Sequence, residues 1–362
     1  MTHATAAAPF AEPGLLHPAP PAPAPGAGGA GALVISLDFE LHWGVRDLAG
    51  PHGPWRARLL GAREAVPAML DLFEEFDVAA TWATVGLLFA ASREEMQYHA
   101  PRRRPAYRNA ALSPYDEPVG GGERDDPLHF APTLVDAIRR RPRQEIATHT
   151  YSHYYCLEPG QDREAFRADL QSAVAIARRR GIELRSIVFP RNQYNPAYDD
   201  LLADAGIVCY RGNQRAWMYR ASDGRGDTRL ARGARLVDTY VRAAGHHAVR
   251  WCDVPRPSGL CDVPASFFLR PFSPALAALD LLRRRRIVRS LEHAAAAGEI
   301  VHLWWHPHNF GTHARENLAF LRSILTEFAR LRDCRGMRSL TMFEAAALAR
   351  RAPAAFAPAG TA

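Results

Sequence analysis

The sequence contains no lysine; all 45 of its basic residues are arginine. That absence excludes a P-loop lysine, the Schiff-base lysine of a pyridoxal phosphate enzyme and the strand lysine of a kinase. Proton transfer must therefore come from carboxylates, histidines, cysteines, tyrosines or hydroxyls, because arginine stays charged and serves to clamp, orient and pair. Cysteine is scarce and odd in number. Cys156, Cys209, Cys252, Cys261 and Cys334 form no C-x-x-C pair and read as reduced thiols of a reducing compartment. Long apolar runs are also missing, so no segment reaches membrane-spanning length.

The apolar fraction of 48% and the charged fraction of 23% are ordinary for a globular chain of 362 residues, long enough for one large α/β domain or two smaller ones. Against 38 acidic residues the net charge is +7. Such a balance suits an anionic partner, yet the arginine runs 102–104, 139–141, 178–180 and 283–286 are scattered. Two of them fall where helices are expected to end, which suits the helix dipole, and the charge reads as compositional bias rather than a nucleic-acid footprint.

Residues 1–30 are almost all Ala, Pro and Gly and read as a disordered tail. The segment lacks a basic n-region, so it is a poor signal peptide, and a cytoplasmic location is expected. Residues 350–362 read as a second, flexible tail. Between the tails strands and helices alternate. Strands are expected at 32–37, 78–84, 145–148, 184–189, 207–210, 300–305 and 338–340. Helices are expected at 62–76, 132–140, 162–180, 196–205, 274–297 and 314–332. Thr341 to Glu344 forms a capping box that opens a last helix. This alternation predicts an α/β fold with a parallel sheet, open or closed into a barrel. Residues 92–130 and 211–272 interrupt it as loop-rich insertions.

Polar, chemistry-bearing residues gather at four expected strand ends: Asp38, Glu40 and His42; His149 and His153; Arg191, Asn192, Gln193, Tyr194 and Asn195; His306, His308 and Asn309. In parallel α/β folds the carboxyl ends of strands share one face, so these clusters are expected to converge. His149 and His153 are four apart and would point to one side of a helical turn, where a carboxylate could complete a metal set. Asp38 and Glu40 lie two apart on one face and repel unless a cation or arginine compensates them, so one fits a metal ligand and the other a general base. Trp82, Trp304 and Tyr154 read as core, and Trp43 as core or as a stacking surface for a sugar.

These residues resemble the NodB-like polysaccharide deacetylases, carbohydrate esterase family 4. The resemblance is carried by Ser36-Leu-Asp38-Phe-Glu40, Ala80-Thr-Trp-Ala-Thr-Val-Gly86, Glu145-Ile-Ala-Thr-His149-Thr-Tyr-Ser-His153, Phe189-Pro-Arg191-Asn-Gln-Tyr194 and His302-Leu-Trp-Trp-His306-Pro. It implies a distorted (β/α) barrel of about seven strands over residues 31–349, with the two loop-rich insertions. It also implies a divalent metal, most often Zn2+, held by Glu40, His149 and His153. Asp38 would be the general base, Arg191 would pair with it, the Tyr194 backbone N–H would bind the oxyanion, and His306 would be the general acid. The chain departs from the family's adjacent aspartates, since Phe39 separates Asp38 from Glu40, so base and ligand roles could be exchanged. Pro and Gly are missing after Arg191. Asp253, beside Trp251, is a candidate for a further motif, and His308 is an alternate to His306.

The implied activity is metal-dependent removal of N-acetyl groups from a sugar or glycan, with an N-acetylated carbohydrate, lipid- or nucleotide-linked, as substrate. Two other readings keep the fold: hydrolysis of another C–N bond, such as a cyclic ureide or imide, and non-catalytic glycan binding.

Overall fold

A computed structural model describes residues 30–48, 50–219, 228–241 and 245–351. Apart from residues 30, 350 and 351, both expected tails lie outside the described residues. The chain runs through β1 (Ala32–Phe39), α1 (Arg56–Glu75), β2 (Ala80–Thr84), α2 (Arg93–His99), α3 (Pro132–Arg140) and β3 (Gln144–Thr148). It continues through α4 (Arg163–Arg179), β4 (Ser186–Ile187), α5 (Asp199–Asp204), β5 (Cys209–Tyr210), α6 (Arg229–Tyr240), β6 (Cys261–Asp262) and β7 (Phe267–Phe268). The last elements are α7 (Asp280–Ala297), β8 (Ile300–Trp305), α8 (Ala314–Arg335), β9 (Arg338–Leu340) and α9 (Met342–Arg351).

All strand pairs are parallel, in the order β6-β5-β4-β3-β2-β1-β8-β7, with β9 paired to β1. The centre is β1, whose eight residues are all buried, as a parallel strand covered on both faces requires. Its first half pairs with β9 and its second half with β2, while β8 runs along its other edge.

The stretch from β6 to β7 closes the ring. Its first half lies on β5. Val263 N–H then donates to Tyr210 O (2.9 Å), Ala265 N–H to Gly212 O (2.9 Å) and Ser266 N–H to His302 O (2.8 Å), which carries it across to β8. Counting that stretch as one stave, the ring comprises β1 to β5, β6–β7 and β8, the seven-stave distorted barrel that the motifs imply.

Local signals set several boundaries. Asp162 caps α4 by accepting from Ala165 N–H (2.9 Å). The capping box before α9 is complete: Thr341 N–H donates to Glu344 Oε2 (2.9 Å) and Glu344 N–H to Thr341 Oγ1 (3.1 Å). Arg139 and Arg140 end α3, and Arg178 and Arg179 end α4. Among the described residues the interrupting segments each contain one α-helix, α2 and α6, that the periodicity did not predict, and the second also holds the sheet strands β6 and β7. Among the described residues no helix is long and apolar enough to cross a membrane.

The turn after β8 is seated on α1 through two glycines. A Cβ on Gly61 would lie 2.0 Å from Gly311 O, and one on Gly311 would lie 1.9 Å from Arg58 O. The loop that bears His306 and His308 therefore rests on a backbone-to-backbone contact. Gly61→Ala is expected to destabilise the fold by about 1–3 kcal/mol through overpacking, measured by urea unfolding.

Candidate active site

Parallel strands place their carboxyl ends on one rim, and the expected clusters meet there. Glu40 is the first residue past β1, buried, with its carboxylate turned back toward the following turn. Gly44 makes that possible, since a Cβ there would lie 1.9 Å from Glu40 Cδ. His149 directly follows β3, and its N–H donates to Thr84 O (2.9 Å), extending the ladder by one residue.

His149 to His153 is not a helical turn, contrary to the expectation from their spacing. Thr150 (φ 64°) and His153 (φ 58°) are left-handed, and the segment is an irregular loop. Non-glycine residues in that region cost of order 1 kcal/mol each and need support from outside. Buried Asp169 on α4 supplies it by accepting Tyr151 N–H (2.7 Å), Ser152 N–H (3.2 Å) and the Ser152 hydroxyl. Thr150 Oγ1 accepts Tyr154 N–H (2.7 Å), closing the loop on itself.

The result is a compact donor set. Glu40 Oε2 lies 3.0 Å from His153 Nε2 and 3.4 Å from His149 Nε2, and one atom from each residue falls within 4.8 Å of the others. His149 Nδ1 is 2.8 Å from Val188 O, so Nδ1 is the donor and, in the neutral ring, Nε2 presents a lone pair to the carboxylate. Two acceptors facing each other are relieved by a cation between them. Burial pulls His153 down to about 4 despite Glu40, which keeps that imidazole neutral and ligand-ready. Burial would raise the Glu40 carboxyl, but His306, His149 and His153 hold it well below the usual range. Two neutral imidazoles and one carboxylate on one side fit a divalent metal of the zinc class.

Asp38 faces away from this set. Its two oxygens accept from Arg211 Nη1 (2.6 Å) and Nη2 (2.8 Å), a bidentate pair with both side chains buried. Burial would raise Asp38, but Arg211 and His149 more than offset it and the carboxyl lies below its ordinary value. Arg211 Nη1 also donates to Ser36 Oγ (3.0 Å), whose hydroxyl is 2.8 Å from His302 Nε2, and His302 Nδ1 is 3.0 Å from Val263 O. Burial pushes His302 down to about 3, so it acts as a neutral link in this chain.

Two expected roles move. Arg191 does not pair with Asp38; it hydrogen-bonds Asp47 and stacks over the Tyr155 ring at 4.5 Å. Left-handed Arg191 (φ 54°) and Asn192 (φ 54°) turn the chain outward there, and Arg211 takes the place beside Asp38. The same turn commits the Tyr194 N–H to Asn192 O (3.0 Å), and its ring stacks on Tyr210 at 4.3 Å, so this amide is not free for an oxyanion.

His306 Nε2 lies 3.6 Å from Glu40 Oε1 and 3.8 Å from Asp38 Oδ2, with its side chain 23% exposed. His308 is buried behind it, stacked at 4.9 Å, and burial with the neighbouring His306 pushes it down to about 3. Of the two, His306 is the one that meets the carboxylates. Trp304 is not core: its ring covers the Arg211 guanidinium at 4.1 Å and lines a cavity of about 670 Å3 beside His306. Trp82, Trp43 and Tyr154 are buried as core. Asp253 pairs with Arg215 and Arg250 and takes no part in the cluster.

The residue that sequence reasoning missed is Arg211. It closes the expected strand 207–210, so the rule that selected the other four clusters selects it as well. Arg211→Met would strand a buried carboxylate and is expected to cost about 3–5 kcal/mol, whereas Arg191→Met at a part-exposed pair would cost under about 1 kcal/mol; urea unfolding compares them. Gly44→Ala is expected to displace the Glu40 carboxylate and to weaken any divalent-metal binding at this donor set by about 10–100-fold, read by competition with a chelating dye.

The polysaccharide deacetylase family model matches residues 52–210, a span that holds both histidines but ends before Arg211 and His306. No curated protein matches the chain. Solved structures share the fold at low identity. One is a protein from Mycobacterium smegmatis described as a polysaccharide deacetylase, with TM-score 0.56 and 16% identity, covering 91% of this chain and 95% of that one. Another is Puue allantoinase, with TM-score 0.52 and 14% identity, covering 90% and 91%. A third, from Pseudomonas aeruginosa PAO1 and also described as a polysaccharide deacetylase, has TM-score 0.52 and 12% identity, covering 88% and 90%. The match over residues 52–210, the motif segments and the barrel agree: the chain resembles the polysaccharide deacetylases and shares their fold.

Proposed function

We propose that the protein is a metal-dependent hydrolase that removes N-acetyl groups from a sugar or glycan. The observation that carries this reading is the convergence of Glu40, His149 and His153 beside an arginine-held Asp38 and a part-exposed His306. Glu40, His149 and His153 would hold the metal, most often zinc in this family. Bound there, it supplies Lewis acidity and lowers the pKa of water.

Each other role belongs to the chain. Asp38 is the general base. The Arg211 fork fixes its plane, and each oxygen keeps a second lone pair to take a proton from water. Arg211 therefore plays the part that the family resemblance gave to Arg191. His306 is the proton donor to the departing amine, since it lies near both carboxylates and its side chain is part-exposed. Trp304 and Phe268, whose rings contact His306, give the adjoining cavity an aromatic wall suited to a sugar face. The oxyanion has no donor from Tyr194 in this reading.

A second reading draws on the likeness to an allantoinase, which extends to the fold: opening of a cyclic ureide or imide by the same groups. The zinc-loaded protein is expected to release acetate from N-acetylglucosamine oligomers. Asp38→Asn and His306→Ala are each expected to lower kcat by roughly 100- to 10,000-fold. Chelation should abolish the activity and zinc restore it. Absence of acetate from every N-acetylhexosamine derivative tested would end the first reading, and ring opening of a cyclic ureide would favour the second.

A further inference from the structure

A second histidine–carboxylate cluster lies next to the first along the chain but is built from different elements. His42, two residues past Glu40, is fully buried, and its Nε2 is 3.3 Å from Glu117 Oε1. His129, also buried, places Nε2 3.7 Å from the same oxygen. One atom from each of the three falls within 4.8 Å of the others. A tetrahedral shell with bonds of about 2.0–2.1 Å has ligand-to-ligand edges of about 3.3–3.4 Å, so these spacings match a metal shell as well as those at Glu40 do.

An independent observation points to a ligand. His129 Nδ1 lies 2.9 and 2.8 Å from the two oxygens of Asp126, so Nδ1 is the donor there and Nε2 faces inward toward Glu117. That Nε2 is buried and has no hydrogen-bond partner. Two carboxylates, Asp126 and Glu117, facing one buried ring call for a positive charge between them, which a ring proton supplies in the empty site and a metal ion would supply in its place. Asp126 is held in turn by Gly120 N–H (2.8 Å), which completes the carboxylate–histidine arrangement that orients metal ligands.

We propose that His42, Glu117 and His129 form a second divalent-metal site of the zinc class, with Asp126 as the outer partner of His129. Its role is structural. It ties the segment bearing Glu117 and His129 to the end of β1, beside the existing clamp in which Arg46 Nη1 donates to Ala111 O (2.7 Å) and Ser113 O (2.9 Å). The Glu117 side chain is 17% exposed, which leaves room for a water in a fourth position.

The test is a zinc count by elemental analysis on the full chain, loaded with zinc and dialysed against metal-free buffer. Wild type is expected to hold about two zinc ions, and Glu117→Gln, His129→Asn and His153→Ala about one each. Glu117→Gln alters one group on a part-exposed side chain and carries the test if His129→Asn fails to fold. Wild-type and Glu117→Gln chains that hold the same number overturn the proposal. So does a Glu117→Gln chain that is folded by circular dichroism yet holds none when wild type holds two, because that loss is not local. A single wild-type zinc that Glu117→Gln loses and His153→Ala keeps supports this site and removes the metal at Glu40, so the two proposals fail separately.

Discussion

The buried pair between Asp38 and Arg211 is the interaction around which the rim is organised. Asp38 is on β1 and Arg211 follows β5, so the pair spans the barrel interior rather than joining neighbouring staves. Two charges removed from water are tolerated only when geometry is good and their remaining sites are satisfied. Here the fork is bidentate, Ser36 and Asn192 accept further N–H groups, and the Trp304 ring lies over the guanidinium, so that of its N–H groups only the buried Nε–H lacks a partner. The arrangement draws β1, β4, β5 and β8 to one point. It also leaves Glu40, two residues on, free to turn toward the histidines. The two acids differ in what each faces: an arginine on one side, imidazoles on the other.

Much of this was legible in the sequence. The alternation of strands and helices, the strand at 300–305 and the last capping box follow from periodicity and cap chemistry that act over a few residues. Glu40, His149, His153 and His306 converge because parallel strands align their ends, a rule that needs no tertiary detail. What local patterns missed was decided over long range. The histidine loop is held by Asp169, sixteen or more positions away, so a helical reading of an i, i+4 pair had no means of excluding two left-handed residues. Arg191 is displaced by a turn whose direction depends on Asn192. Trp304 looked apolar and proved to be a lid over a charge.

The absence of lysine takes on a specific meaning at the rim. A lysine opposite Asp38 would offer a point charge able to lose its proton when buried, whereas a guanidinium keeps both its charge and its plane. Asp38 is therefore held in one orientation by a partner whose charge does not change with pH. Most other arginines make surface pairs of small individual worth, such as Arg322 with Glu75 and Arg330 with Glu327, which fits the reading of the net charge as compositional bias.

The register between β5 and β6 has a consequence for how such a protein can diversify. Cys209 pairs with Cys261 and Tyr210 with Asp262, so residues 211–260 leave one stave and return to its immediate neighbour. An excursion whose ends are pinned side by side can change length at a cost that grows only as the logarithm of its size. Asn213, Gln214, Tyr219, Arg235, Asp238 and Thr239 on that excursion form one wall of the cavity beside His306. That wall of the cavity and the cluster at Glu40, His149 and His153 are thus written in separate stretches of chain, and the excursion begins at Arg211.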